Sequence, residues 1–381
     1  MQLWHSLSQL RWILLSCLGA LSVTVLLEPS ETCPGSAMAR AEATPRAEPA
    51  VELSTDYRDE GPGYICEIRN GRTFYGDTSR RGVPFAKDPS VVRFGDRYLM
   101  YYSIPPFAKD RPNNGWAVGI AESRDLGRWK KVGEILPMQE CDAKGLAAPC
   151  AKVLGGRLHL FYQTYGNGPR DAICVAVSDD GLRFTPHPSN PIFRPSGQWT
   201  VGRAIDADVI SFKGRLFLAY ATRDPSMKIQ MLGMATADPE SDLGPTAWHQ
   251  CGEGPILRPE LPWEQDCIEA PSMVVRDDKL IMFYAGAYNN RPQQIGVAAS
   301  DDGLHWKRLF TEPLIPVGPP DAWNASESGH PGVFVDEDGQ TYVFYQGNND
   351  QGRTWWITWD RVTWQGTIPY VIPAERQVSQ K

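Results

Sequence analysis

The chain of 381 residues carries 38 basic and 45 acidic side chains, a formal charge of −7. A surface that tracks nucleic-acid phosphates needs a clustered basic face, so this balance argues against a nucleic-acid partner. Hydrophobic residues make up 42% and charged residues 22%, enough to bury a core, while 13 Trp, 14 Tyr, 35 Gly and 32 Pro point to short strands and turns and against long helices.

Arg11 precedes an apolar run from Trp12 to Leu27, and small residues including Ala37-Met38-Ala39 follow, the order of parts in a secretory signal. Residues 1–40 are expected to be that signal, with an uncleaved anchor as the alternative because the stretch before Ala39 is long. Leu14-Leu15-Ser16-Cys17 weakly resembles a lipoprotein box. The expected destination is outside the cytoplasm, secreted or periplasmic. Residues 41–63 read as a linker and N-terminal extension, 64–372 as the folded domain and 373–381 as a tail. No stretch after the N-terminal run is long and apolar enough to span a bilayer. If Cys17 and Cys33 leave with the signal, Cys66, Cys141, Cys150, Cys174, Cys251 and Cys267 remain. An even number in an exported chain permits disulfides, and Cys141/Cys150 and Cys251/Cys267 enclose short loops; reduced, buried cysteine is the alternative.

From Val91 onward one pattern recurs five times: an apolar strand, a Gly/Asp turn, and a second strand ending in an aromatic pair. It runs over Val91 to Tyr102, Ala151 to Tyr162, Val209 to Tyr220, Met273 to Tyr284 and Val333 to Tyr345. The final tyrosines lie 60, 58, 64 and 61 residues apart. A third strand follows in each unit, at Ala117 to Ser123, Ala172 to Ser178, Ile229 to Thr236, Gln294 to Ser300 and Thr354 to Trp359. An aromatic then opens a fourth: Trp129, Phe184, Trp248, Trp306 and Trp364. Two markers repeating in phase predict an all-β, five-bladed propeller of four-stranded antiparallel blades. A layered sandwich uses similar strands and would not repeat both markers. Tyr64 to Tyr75 is expected to complete a blade where the ring closes.

In a propeller the first strand of each blade lines the central channel, so its starting residues converge on one mouth. Counting back 14 residues from the marker tyrosine gives Asp88, Ala148 and Asp206 in the first three blades. Counting back 15 gives Glu269 and His330 in the last two, with Ala270 the strict equivalent in blade four. Each has a plain reading alone: Asp88-Pro89 as a turn, Glu269 as a surface carboxylate, His330 as a structural histidine. Together they place three carboxylates at one mouth, where mutual repulsion raises at least one pKa. Glycoside hydrolysis uses such a set, one group protonating the leaving oxygen and one activating water or attacking carbon. Asp206 and Asp208 compete for one role, because strand alternation puts both on the same side.

At these residues the sequence resembles glycoside hydrolase family 43 and its clan, which includes the family 32 fructosidases, over roughly 86–366. Lys87-Asp88-Pro89-Ser90-Val91 looks like the segment holding the general base, Ile205-Asp206-Ala207-Asp208-Val209 the pKa-modulating aspartate, and Glu269-Ala270-Pro271-Ser272 the general acid. Ser328-Gly329-His330-Pro331 resembles the fifth-blade histidine associated with a central metal, often calcium, so His330 is the metal candidate, acting through water and not in a full protein cage. The resemblance implies a glycosidase acting on a poly- or oligosaccharide by single-displacement inversion, with no organic cofactor. Leu146-Ala147-Ala148-Pro149-Cys150 departs from the Trp-Ala-Pro-Asp run of many relatives. Arg223-Asp224-Pro225 matches a family 32 motif only out of position, which weakens a retaining fructosidase.

Loops after the second strands are rich in Tyr, Asn and Arg, so Trp116, Arg223, Tyr288 and Arg291 are candidate substrate-binding residues, with ordinary turn composition as the alternative. A sialidase, suggested by Ser300-Asp301-Asp302-Gly303-Leu304-His305-Trp306, would need six blades. A glycoside phosphorylase and a non-catalytic carbohydrate-binding propeller are the remaining alternatives.

Overall fold

Each marker tyrosine sits on a strand that pairs back onto the strand before it, and these hairpins grow into sheets. The computed structural model describes residues 56–109, 111–112 and 114–372, so the expected signal and tail lie outside the described residues. Blade one consists of Lys87–Phe94, Arg97–Ile104, Ala117–Ser123 and Lys130–Ile135 in antiparallel order. The inner strands of the next four blades are Leu146–Leu154, Ile205–Phe212, Ile268–Arg276 and Glu327–Val335. Neighbouring inner strands pack in a closed cycle, the fifth against the first. One hydrophobic cluster fills each of the five blade interfaces. Among the described residues no helix is long and apolar enough to cross a membrane.

The fifth blade closes the ring with strands from both ends of the domain. Its long third strand Trp356–Gln365 pairs with Ile368–Ile372 along one half, and Ile357 faces Tyr75 of the strand Arg72–Asp77 at the other. Tyr64, Cys66 and Tyr75 join the cluster between blades five and one. The N-terminal strands therefore complete the closure, and they begin earlier than expected: Asp56–Gly61 pairs with Tyr64–Arg69. The segment Asp-Tyr-Arg-Asp-Glu-Gly did not read as a strand because its charges sit on an exposed edge, where they block further pairing.

Trp129, Phe184, Trp248 and Trp306 immediately precede the outer strands that start at Lys130, Thr185, His249 and Lys307. Trp364 does not. It lies inside the third strand of blade five, opposite Pro369, because the hairpin turn comes after it, at Gly366 with φ 58°.

The marker tyrosines recur for a reason of packing. All five are buried, and four donate their hydroxyl to a carboxylate: Tyr102 to Asp77 (2.9 Å), Tyr162 to Asp142 (3.0 Å), Tyr284 to Glu264 (2.7 Å) and Tyr345 to Asp360 (2.8 Å). A buried hydroxyl needs such a partner. Tyr102 also requires a glycine across the sheet, since a Cβ on Gly119 would lie 2.4 Å from its ring.

The cysteines do not pair as the short loops suggested. All six described are free thiols. Cys150 Sγ faces Asp208 Oδ1 at 3.3 Å, Cys251 Sγ faces Thr236 Oγ1 at 3.9 Å, and the sulfurs of Cys141 and Cys174 approach to 3.9 Å.

Inner strands share one bulge, and the bulge builds the mouth. Register shifts just after the start of each, and the residue there has positive φ: Asp88 (52°), Ala148 (45°), Asp206 (51°), Ala270 (50°) and His330 (47°). Residues other than glycine adopt this conformation at a cost, so it persists where surroundings hold it. Here the residue after the previous blade's marker tyrosine does so. Asp88 N donates to Gln346 Oε1 (2.8 Å), Ala148 N to Ser103 Oγ (2.8 Å) and Asp206 N to Gln163 Oε1 (2.7 Å). The corresponding residues before blades four and five are Ala221 and Ala285, which have no side-chain acceptor.

Two residues further on lies a second latch. Ser90 Oγ, Asp208 Oδ2 and Ser272 Oγ accept from the backbone N–H of Ala151, Met273 and Val333 in the next blade, at 2.9, 2.7 and 2.8 Å. Asp208 is therefore a structural staple, and its other oxygen meets Lys152 Nζ at 2.9 Å. Lys152→Met leaves this buried carboxylate without its cation and is expected to cost about 3 kcal/mol. Urea denaturation measures it; an unchanged midpoint and slope would show the ion pair contributes nothing.

Candidate active site

The bulges bring Asp88, Asp206 and His330 around one mouth, and Glu269, one place before its bulge residue, joins them. All four side chains are buried or nearly so. His330 stands between two carboxyls: Nδ1 is 2.9 Å from Asp88 Oδ1 and Nε2 is 3.1 Å from Glu269 Oε1. Glu269 also accepts from Gln293 Nε2 at 2.7 Å and from the side-chain amide of Gln230, with Asn289 Nδ2 at 3.4 Å. Asp206 is different, because among the described residues its buried Oδ2 has neither a hydrogen-bond partner nor an ion pair, whereas Asp88 Oδ1 faces His330.

These contacts separate the protonation states. Burial alone would raise Asp88, but the charges of His330 and Lys87 outweigh it and hold the carboxyl well below the usual range. Burial likewise opposes ionisation of Glu269, yet the His330 hydrogen bond and charge, with the Gln293 amide, bring it below its ordinary value. Asp206 lacks such support. Burial, with the neighbouring Glu269 and Asp88 charges, pushes it up to about 7 against the pull of His330. Facing carboxylates counter the burial of His330 and raise it well above an ordinary histidine. One carboxyl does carry a raised pKa, and it is Asp206; Glu269, expected to hold the proton, is lowered instead.

A cavity of about 300 Å³ opens over this set, lined by Trp116, Arg223 and Tyr288 together with Lys87, Gln163, Tyr165, Arg203, Gln230 and Asn289. Trp116 and Tyr165 present rings 5.5 Å apart, and the Arg223 guanidinium lies 5.1 Å over the Tyr288 ring. Arg291 does not line the cavity. A turn from Tyr288 to Arg291, closed by Arg291 N donating to Tyr288 O at 3.1 Å, leaves its side chain exposed, and its carbonyl accepts from Gln265. Asp208 is outside the cavity as well; the bulge between Ile205 and Asp208 cancels the alternation that put it beside Asp206.

Sequence reasoning missed Lys87, Gln163, Arg203, Gln230, Gln293 and Gln346. Gln163 and Gln346 directly follow marker tyrosines, so comparing that position across blades would have found them. Gln230 and Gln293 each lie three residues before the glycine that faces the marker tyrosine, in blades three and four, so the same comparison would have found them, whereas Arg203 sits where the repeats differ and carries no such signal.

Asp206, Glu269 and His330 each offer a donor atom within 4.8 Å of the others. Calcium takes six to eight oxygens. Two carboxylates and an imidazole fall short of a cage, and an ion here would be completed by water; the unpartnered Asp206 Oδ2 is the atom such a cation would satisfy. Just below, a channel chamber of about 40 Å³ is lined by Asp88, Asp206, His330 and small residues.

The chain resembles proteins of known kind. It is 28% identical over 209 residues to a 1,2-beta-oligomannan phosphorylase of Thermoanaerobacter sp. (strain X514), covering 53% of this chain and 64% of that protein. It is 26% identical over 152 residues to xylosidase/arabinosidase 43A of Humicola insolens, covering 36% and 41%. The chain thus spans less than two thirds of the length of these relatives. A thermostable family-43 glycoside hydrolase shares the fold with a TM-score of 0.60 at 21% identity, over 76% of this chain and 93% of that one. A Bombyx mori family 32 β-fructofuranosidase does so at 0.59 and 16%, over 77% and 64%. Residues 83–368 match the model of glycosyl hydrolases family 43, and the chain belongs to that family.

Proposed function

We propose that the protein is a glycosidase that cleaves a poly- or oligosaccharide by single displacement, with Asp88 as general base, Glu269 as general acid and Asp206 sharing the acid's proton. The observation that carries the reading is the His330 ring between Asp88 and Glu269, which holds the two carboxyls apart. Inverting enzymes need that space for a water between base and anomeric carbon, whereas retaining ones bring the carboxyls to about 5–5.5 Å. Ionised Asp88 accepts the water's proton as its oxygen attacks. The Asp206–Glu269 pair delivers its proton from Glu269 to the leaving oxygen. Trp116 and Tyr288 give the sugar's apolar face a surface to stack on.

In this reading the alkaline limb of activity reports loss of the shared proton near pH 7. Asp206→Asn leaves Glu269 alone beside cationic His330, whose pull lowers it, so the limb is expected to move to lower pH. A kcat/KM profile against pH checks this; a limb that stays in place removes Asp206 from the role.

The deciding experiment is incubation with a panel of polysaccharides and aryl glycosides, with NMR of the first-formed anomer. Inverted product supports the mechanism, retained product overturns single displacement, and no turnover by folded protein favours a binding propeller. The oligomannan phosphorylase relative favours one second reading, a phosphorylase, for which cleavage would depend on added phosphate. We also propose that the N-terminal segment exports the domain, which N-terminal sequencing of the mature protein would test. A calcium ion held through water at Asp206, Glu269 and His330 would supply fixed positive charge beside the acid. Elemental analysis, with activity before and after chelation, tests that proposal.

A further inference from the structure

Four cationic side chains line the catalytic cavity, and two are already committed. His330 lies between Asp88 and Glu269. Lys87 donates to Asn289 Oδ1 and sits 4.4 Å over the Trp355 ring. Arg203 and Arg223 are held differently. Both come from the mouth end of blade three, Arg203 just before its inner strand and Arg223 at the end of its second. Each is anchored through Nε alone: Arg203 on Asp171 Oδ2 at 3.2 Å, Arg223 on Gln230 Oε1 at 2.8 Å. Among the described residues neither has a protein acceptor for its terminal nitrogens, and Arg223 has no carboxylate within ion-pair distance.

A guanidinium pinned at Nε presents its Nη groups as a fixed fork, which matches the two oxygens of a carboxylate or phosphate. Neutral hydroxyls need no net positive charge. Asp171 pairs with Arg203 at Nε only, and among the described residues the part-buried Arg223 has no carboxylate partner, so an anion in this cavity of about 300 Å³ would compensate charge the protein leaves open. The remaining contacts fix the fork's direction. Arg203 is nine-tenths buried, and Arg223 lies against the Tyr288 ring.

We infer that Arg203 and Arg223 form an oxyanion subsite beside the catalytic carboxyls, taking either a carboxylate carried by the sugar or free phosphate. The inference rests on the glycosidase reading for its place in catalysis, but not for the binding itself.

The test uses the whole folded protein at constant ionic strength. Calorimetric titration with inorganic phosphate and with a free hexuronic acid is compared for wild type, Arg203→Met and Arg223→Met, with thermal melting as the folding control. Saturable binding of at least one anion is expected, weakened about tenfold to a hundredfold in each variant, the range for losing a charged hydrogen bond. Should a Met variant not fold, the Lys variant replaces it, keeping the charge but losing the fork, and weaker anion binding is still expected. Two activity arms identify the source. Cleavage that requires phosphate and releases a sugar phosphate assigns the subsite to the free anion. A rise in KM when an acidic oligosaccharide is carboxyl-reduced assigns it to the sugar. Wild type that binds neither anion, or variants that bind as tightly as wild type, overturns the inference. Anion binding without turnover of any glycoside would instead overturn the glycosidase reading and leave the subsite standing.

Discussion

Asp88→Asn is expected to lower kcat by about 10²- to 10⁴-fold on every substrate, whatever its leaving group, because the attacking water loses the base that takes its proton. The substitution suits the site sterically. Asparagine tolerates the positive φ of 52° at this bulge, its amide oxygen still meets His330 Nδ1, and its backbone N–H still donates to Gln346. Folding and KM should therefore change little, which separates loss of chemistry from loss of structure. Purified variant assayed on natural oligosaccharide and on an activated aryl glycoside decides the matter. Activity within a few-fold of wild type on the natural substrate would end this mechanism.

Glu269→Gln should behave differently on the two substrates. Its proton is needed only where the leaving oxygen is basic, so natural oligosaccharides should lose about 10²- to 10⁴-fold and activated aryl glycosides far less. The amide preserves the volume between Gln230, Gln293 and His330 and can still accept from Gln293 Nε2. Equal losses on both substrates would remove Glu269 as the acid and point to a positioning role. Rate against leaving-group pKa is the measurement, and its slope should steepen in the variant.

The two variants bear on different halves of the site, and His330 links the halves. Its charge favours the ionised forms of both Asp88 and Glu269, which suits a base and opposes an acid. Asp206 offsets that opposition. Buried with an unpartnered oxygen, it keeps a proton up to about pH 7 within reach of Glu269. On the proposed mechanism, an ionised Asp88 with a proton held on Asp206 beside Glu269 is the state from which the reaction would start.

Much of this was legible in the chain itself. The five tyrosines, each buried and four bonded to a carboxylate, recur at intervals of 58 to 64 residues because each blade repeats one packing problem. That interval fixes the number of blades and points at Asp88, Asp206, Glu269 and His330, since position along an inner strand maps directly onto depth in the channel. What the interval leaves open is direction. Asp206 and Asp208 are indistinguishable under strand alternation, and only the bulge turns one to the mouth and the other onto Lys152 and the next blade. Arg291 looked like a sugar ligand and is an exposed residue outside the cavity lining, while Arg203, in an irregular stretch, lines the cavity. Protonation was equally out of reach. Whether Glu269 or Asp206 holds the proton depends on Gln293 from Glu269's own blade and on Gln230 and His330 from the blades on either side, and those two meet Glu269 only when the blades pack together. A repeat in sequence encodes what neighbouring strands share; side-chain direction and charge at the axis are set by partners from different blades, and tertiary structure alone brings those together.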